Sequence, residues 1–191
     1  MRFRIVAAVL LWLVAPPVFA APSNSHIRSL DAALTKTISE GVARSRTFAD
    51  IVNSLEQANV VVYLGFNPQL RPGLGGRTSF LTSSGKWRYL RIVICPRLSD
   101  FQRIVMLAHE LHHALEISSS PEVRDRRSLR ALYQVIGEPA LCPSECFETA
   151  SAIDAENDVG RELRHSVNKR YVPPGVAHSS HDRGDIVATE E

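Results

Sequence analysis

The chain has 191 residues, with 22 lysines and arginines against 20 aspartates and glutamates and a formal net charge of +2. Near-balanced charge, with no basic stripe and no acidic block, argues against nucleic acid as a partner. The length suits one domain around a single core.

The N-terminus reads as a signal peptide over 1–20. Met1-Arg2-Phe3-Arg4 is a short basic start, and Ile5 to Val14 is an apolar run. Val18-Phe19-Ala20 offers the compact residues a signal peptidase reads, so cleavage is expected between Ala20 and Ala21. The run is shorter than the roughly twenty residues of a membrane span, so no stable membrane insertion is expected after cleavage. The mature protein is expected to be exported, either periplasmic or secreted. Its three cysteines, Cys95, Cys142 and Cys146, are expected to form one disulfide in such a compartment. Cys142–Cys146 is slightly favoured, with a bridge from Cys95 as the alternative.

Within the mature part, Ile27, Leu30, Leu34 and Ile38 repeat at helical spacing, with Gly41 as a stop. A second helix is predicted from Thr47 to Gln57 on the buried face Phe48, Ile51, Val52 and Leu55. Val60 to Leu64 reads as a buried strand. Pro68 to Gly76 is a glycine-rich loop, and Thr78 to Thr82 a further strand. Ser83 to Lys86 is a hairpin turn leading into an alternating strand from Trp87 to Cys95. Ser99 or Asp100 caps the next helix, in which Phe101, Ile104, Val105, Ala108, Leu111 and Leu115 form one apolar face. Ser118 to Pro121 breaks it and begins another helix, with Pro121 at its first position and Val123, Leu129, Leu132, Val135 and Ile136 inward. After a second break at Pro139 to Pro143, a long helix is predicted from Glu145 to about His165. The domain is taken as 21–166, and 167–191 as a polar, disordered tail.

His109-Glu110-Leu111-His112-His113 lies inside the capped amphipathic helix. Histidines four apart project about 6 Å apart along the axis and ~40° apart around it. A zinc ion at about 2.1 Å from each can be shared. Glu110, rotated ~100° from His109, flanks that position and suits a base acting on water rather than a ligand. The expected cofactor is Zn2+, with His109 and His113 as two of its ligands. His112 is on a neighbouring line of the helix and is expected to face the cleft or pack. Glu116 lies ~20° from His109 around the axis but ~10 Å along it, which suits support of His113 better than ligation. The third ligand must come from another helix, where Glu145, Glu148, Asp154 and Glu156 are available. Glu148 is favoured because it sits among small residues in Phe147-Glu148-Thr149-Ala150-Ser151-Ala152.

With those residues in place, the stretch from Trp87 to Leu163 resembles the gluzincin branch of zinc metallopeptidases. In that family the motif helix packs against a later helix that supplies a glutamate ligand. It also looks like small secreted bacterial proteins of uncharacterised activity, which carry H-E-L-x-H-A-x-E and, later, F-E-T-x-A-A. The second pattern departs here at its fifth position, Ser151. The resemblance implies His109, His113 and Glu148 as ligands, Glu110 as catalytic base and a peptide or protein as substrate. In larger gluzincins an aspartate follows the ligand glutamate by four residues and buttresses a histidine. Here that position is Ala152, so a buttress must come from Asp154 or elsewhere. Tyr133, His165 and Tyr171 are candidates for stabilising an oxyanion.

The fold expectation is therefore α+β: a small antiparallel sheet against the H-E-x-x-H helix, with a later helix supplying the glutamate. Strand Trp87 to Cys95 is expected to offer an edge to extended substrate. The functional expectation is peptide-bond hydrolysis by an exported zinc metallopeptidase. Its alternatives are a catalytically inactive zinc-binding or interaction module and a zinc hydrolase of envelope amides or esters.

Overall fold

The computed structural model describes residues 25–139 and 146–170, the side chains of 167–170 excepted. The expected leader, Cys142, Glu145, Tyr171 and the tail beyond 170 lie outside them. The described elements are β1 (Ile27–Ser29), α1 (Ala32–Arg44), α2 (Arg46–Gln57), β2 (Val60–Phe66), β3 (Gly76–Ser84) and β4 (Trp87–Ile94). They continue with α3 (Asp100–Ser118), α4 (Arg126–Ile136), β5 (Glu138–Pro139), β6 (Phe147–Glu148) and α5 (Ala150–Arg170). No helix among them is long and apolar enough to cross a membrane.

The fold is α+β, but its sheet is mixed rather than antiparallel. Strand order is β1-β2-β4-β3, with β1 and β4 parallel to β2 and only β3 antiparallel to β4. The cause is connectivity. The helices α1 and α2 carry the chain back across the sheet, which makes the strands they join parallel. The hairpin itself forms as expected, and Gly85 at φ +53° supplies its left-handed residue. The order also corrects the role given to Trp87 to Cys95: β4 is interior, paired on both sides, and the edge strand beside the motif helix is β3.

Other boundaries moved for local reasons. Ile27 opens a strand and Leu30 is fully exposed, so the expected first helix begins only at Ala32. Its N-cap is Asp31, whose carboxylate accepts from the Ala33 N–H at 2.8 Å. Gly41 does not stop that helix. It lets the Phe48 ring approach, since a Cβ there would lie 2.8 Å from ring carbons. Pro121 precedes α4 instead of opening it; Asp125 caps that helix and Val135 is 84% exposed. Helix α5 starts at Ala150, five residues after its expected start at Glu145.

Most of the core lies between the sheet and the helices. Val60 and Val62 of β2 and Leu90 and Ile92 of β4 meet Phe48, Leu55, Ile104, Leu107, Leu111, Val159 and Leu163. Each such side chain contributes roughly 1.5–3 kcal/mol through burial. Helix α3 runs through the middle, packed against α2, α5, β3 and β4. A capping box fixes its start: Ser99 Oγ accepts from the Gln102 N–H, and Gln102 Oε1 from the Ser99 N–H. Buried Arg88 of β4 holds its end, donating to the Ile117 carbonyl at 2.7 Å, Ser120 at 2.9 Å and Ser118 at 3.1 Å. Helix α5 is tied to the start of α2 by Glu162, which accepts from Ser45 Oγ at 2.6 Å and Thr47 Oγ1 at 2.8 Å. Cys95 is buried and free, while Cys146 is disulfide-bonded, which excludes a bridge from Cys95.

Candidate metal centre

His109 and His113 face the core side of α3, each 6% exposed, with ring centroids 4.8 Å apart. Glu148 meets them from β6, just ahead of α5. Its Oε2 is 2.8 Å from His109 Nε2 and 3.7 Å from His113 Nε2. One donor atom from each of the three residues lies within 4.8 Å of the others, so the group is able to hold a metal ion. The expected ligand position is thus brought to the site, but by a short strand and not by the later helix.

The pattern of satisfied and unsatisfied atoms fits a cation at this point. Glu148 Oε2 is buried with no aligned hydrogen-bond partner despite its short distances to the two rings. Leaving such an oxygen unpaired is costly, and a cation between oxygen and imidazoles removes the cost. The outer nitrogens carry carboxylates, as ligating histidines usually do. His113 Nδ1 is 2.8 Å from Glu116 Oε2 in a hydrogen bond. His109 Nδ1 is 3.0 Å from Glu156 Oε2, close but off the hydrogen-bond axis. Glu116 is itself held: its Oε1 accepts from Thr149 Oγ1 at 2.5 Å and Ser151 Oγ at 2.8 Å. Thr149 Oγ1 also accepts from the Ala152 N–H at 3.2 Å, closing the first turn of α5. Ser151, the departure from the F-E-T-x-A-A pattern, therefore orients the carboxylate that orients His113.

Without a cation, these contacts shift the titrations strongly. Burial disfavours charge on His109, but Glu148, Glu156 and Glu110 outweigh it and raise its pKa to about 10. Burial likewise opposes charge on His113, and Glu116 and Glu148 raise it to about 9. Glu148 falls to about 2 through the two histidines. Glu116 also falls to about 2, where His113 and Thr149 prevail over burial. His112 stands apart from the group: burial lowers its pKa, and its Nδ1 has no partner.

Glu110 is 5% exposed and turned toward β3, where Oε2 accepts from Thr78 Oγ1 at 2.7 Å. Burial pushes its pKa up, against the opposing pull of His113 and Thr78. Gly76 makes room for it, since a Cβ there would lie 2.7 Å from Glu110 Cγ and Oε1. Glu110, His113 and Glu148 all line one cleft of about 520 Å³, with Gly76 and Thr78 on one wall and Tyr133 and Phe147 on another. Tyr133 lies edge-on to His113, and its hydroxyl donates to the His113 carbonyl at 3.3 Å. His165 is exposed on α5, its Nδ1 2.7 Å from the Arg161 carbonyl, and does not line the cleft.

Among the other third-ligand candidates, Asp154 is exposed, and Glu156 serves as the partner of His109. Glu156, one turn beyond Ala152, is thus the carboxylate beside His109. Glu148 precedes α5 instead of sitting on it, so the carboxylate beside His109 comes later in the chain than a four-residue spacing would place it. Thr78 and Gly76 were not singled out by the sequence. The only signal for them is a small and a hydroxyl residue alternating where the loop meets the strand. No family model, curated protein or solved structure matches the chain.

Proposed function

We propose that the protein is an exported zinc-dependent metallopeptidase of gluzincin type, with 21–166 as its catalytic domain. The observation that carries the reading is the convergence of His109, His113 and Glu148, with Glu110 lining the same cleft as His113 and Glu148. Two imidazoles and a carboxylate form a ligand set used by zinc hydrolases, which keep a further position open. Bound zinc supplies Lewis acidity, polarising the scissile carbonyl and making water nucleophilic near neutral pH. Glu110 accepts the proton of the attacking water and returns it to the leaving amine. Thr78 fixes Oε2 of that carboxylate, which leaves Oε1 to exchange the proton. The edge strand β3 offers extended substrate a backbone to pair with, directly above Glu110.

The test is a chelator-sensitive cleavage assay of the zinc-loaded mature protein on a mixed peptide library. Glu110→Gln is expected to retain about one zinc per chain and to lose roughly 10²–10⁴-fold in rate. Undiminished cleavage by that variant would overturn the mechanism. Export is checked separately by the N-terminal residue of the secreted protein, expected at Ala21. One observation favours a second reading, a zinc-binding module without turnover: the Tyr133 hydroxyl is committed to the His113 carbonyl rather than directed at a substrate oxygen. Absence of cleavage of peptides, and of envelope amides and esters, by zinc-loaded protein would select it.

A further inference from the structure

The cleft has a charged wall that the chemistry above does not use. Arg126, Arg127 and Arg130, from the first turns of α4, line the same volume as Glu110, His113 and Glu148. Those two glutamates are the only carboxylates among the described lining residues, and the site itself consumes both. Glu138, the cross-strand neighbour of Glu148, is exposed and does not line the cleft. Arg127 has Asp125 near it; for Arg126 no ion pair forms among the described residues. Between the arginines the surface is apolar, with Leu129, Ile117 and Phe147.

The arrangement has a physical consequence for any chain lying in the cleft. Arginine remains charged at all relevant pH and presents a planar fork that pairs with carboxylates through two hydrogen bonds. Several such groups along one wall, with low-dielectric surface between them, raise the local concentration of anionic ligands and repel cationic ones. On the structural side, the start of α4 is fixed by the Asp125 and Ser128 capping box, not by the Arg126 or Arg127 guanidinium.

We propose that the cleft selects peptides carrying carboxylates, with Arg126 and Arg127 as the groups that recognise them. The inference rests on the peptidase reading for its choice of a peptide ligand. Its shared chemistry, a carboxylate, has two sources: acidic side chains along the chain, or a free C-terminus.

The experiment measures binding, so that it does not depend on turnover. Zinc-loaded Glu110→Gln protein is titrated against fluorescent peptides with the same apolar residues. One carries two internal glutamates and an amidated end, one is neutral with a free C-terminus, one neutral and amidated, and one carries two lysines. The expected result is tighter binding of the glutamate peptide than of the neutral amidated one, by about tenfold at low salt. That preference should shrink as ionic strength rises. It should also disappear in Arg126→Gln/Arg127→Gln, whose zinc content and melting temperature are unchanged. A preference for the free C-terminus alone would assign the arginines to a terminal carboxylate. Equal binding of acidic, neutral and lysine peptides, or binding of none, overturns the proposal. Binding of acidic peptides without cleavage by the wild-type protein would instead overturn the peptidase reading and leave the recognition standing.

Discussion

Helix α3 and the β5–β6 pair supply side chains to one candidate metal group but are held in different ways. α3 is fixed at its start by a capping box, at its end by Arg88, and along its length by fully buried Ile104, Leu107 and Leu111. Its two histidines cannot move without disturbing the core. The hairpin is a ladder of two residue pairs, Glu138 with Glu148 and Pro139 with Phe147, and the Glu148 side chain is 38% exposed. So short a ladder is marginal alone. Its position depends on neighbours: Tyr133 stacked on Phe147, the disulfide at Cys146, and Thr149 and Ser151 hydrogen-bonded to Glu116. The lesson is that two of the candidate ligands are preorganised by packing and the third by a local polar network.

The comparison is broken most severely by removing a ligand. His113→Ala deletes a donor and leaves Glu116 without its imidazole, and we expect zinc in purified protein to fall from about one per chain to none. Glu148→Gln keeps the histidine pair. It should still take up zinc at high concentration, with affinity reduced by more than the roughly 10–100-fold typical of an outer partner. Mass spectrometry of native protein and competition with a chromogenic chelator read both. Equal losses in the two variants would remove the distinction between a rigid pair and an adjustable third ligand.

A milder probe acts on the helix side from the sheet. Gly76→Ala needs no unusual backbone conformation, but its methyl group would meet the Glu110 carboxyl, so the carboxyl must shift. Zinc content should be unchanged and the melting temperature nearly so, while peptide cleavage falls by at least tenfold, because displacements on this scale disturb proton transfer. Cleavage at the wild-type rate would mean that Glu110 acts from elsewhere than its seat beside Thr78.

The supporting carboxylates offer a finer test. Glu116 is well buried and bonded by three side chains, whereas Glu156 is 35% exposed and its contact with His109 is misaligned. Replacement of either by glutamine is expected to weaken zinc within the roughly 10–100-fold range of outer partners. Glu116→Gln should lie near the upper limit and Glu156→Gln near the lower. The reverse order would show that the α5 carboxylate governs the site more than the hairpin network does.

The same contrast explains what could be read from the sequence. The placement of His109, Glu110 and His113 was legible because a regular helix converts sequence spacing directly into geometry. The cap at Ser99 and the apolar face of α3 made that helix unmistakable. Glu148, favoured for its small neighbours, does join the candidate group, but from a two-residue strand and not a helix, and so short a strand leaves no periodicity to read. The mixed sheet was hidden for a related reason. Strands such as Val60 to Phe66 announce that they are buried, but which strand lies beside them is decided by crossovers distant in sequence. The early helix failed because Ile27 and Leu30 match a helical period that three residues of strand and a bend can also produce by coincidence.

The smallest effect, and the one that separates the two regions without deleting a ligand, is the pH dependence of the metal-free protein. His109 and His113 titrate at about 10 and about 9 in the folded state, above the roughly 6.5 of an unfolded chain. Their contribution is therefore complete below pH ~6.5 and is lost as pH rises through those folded values. Glu148 and Glu116, both lowered to about 2, contribute above the ordinary carboxylate range and lose that contribution as pH falls toward 2. Metal-free protein should thus melt highest between about pH 4.5 and 6.5, and lower by a few degrees on either side because the half-exposed Glu148 is screened by solvent. Zinc requires neutral imidazoles, so its stabilisation should grow over pH 6.5–9, where the metal-free protein weakens. In Glu148→Gln the share from His109 should diminish, while that from the buried His113–Glu116 pair persists. A metal-free melting temperature that stays flat from pH 6 to 10 would mean that neither pair is charged as the geometry requires.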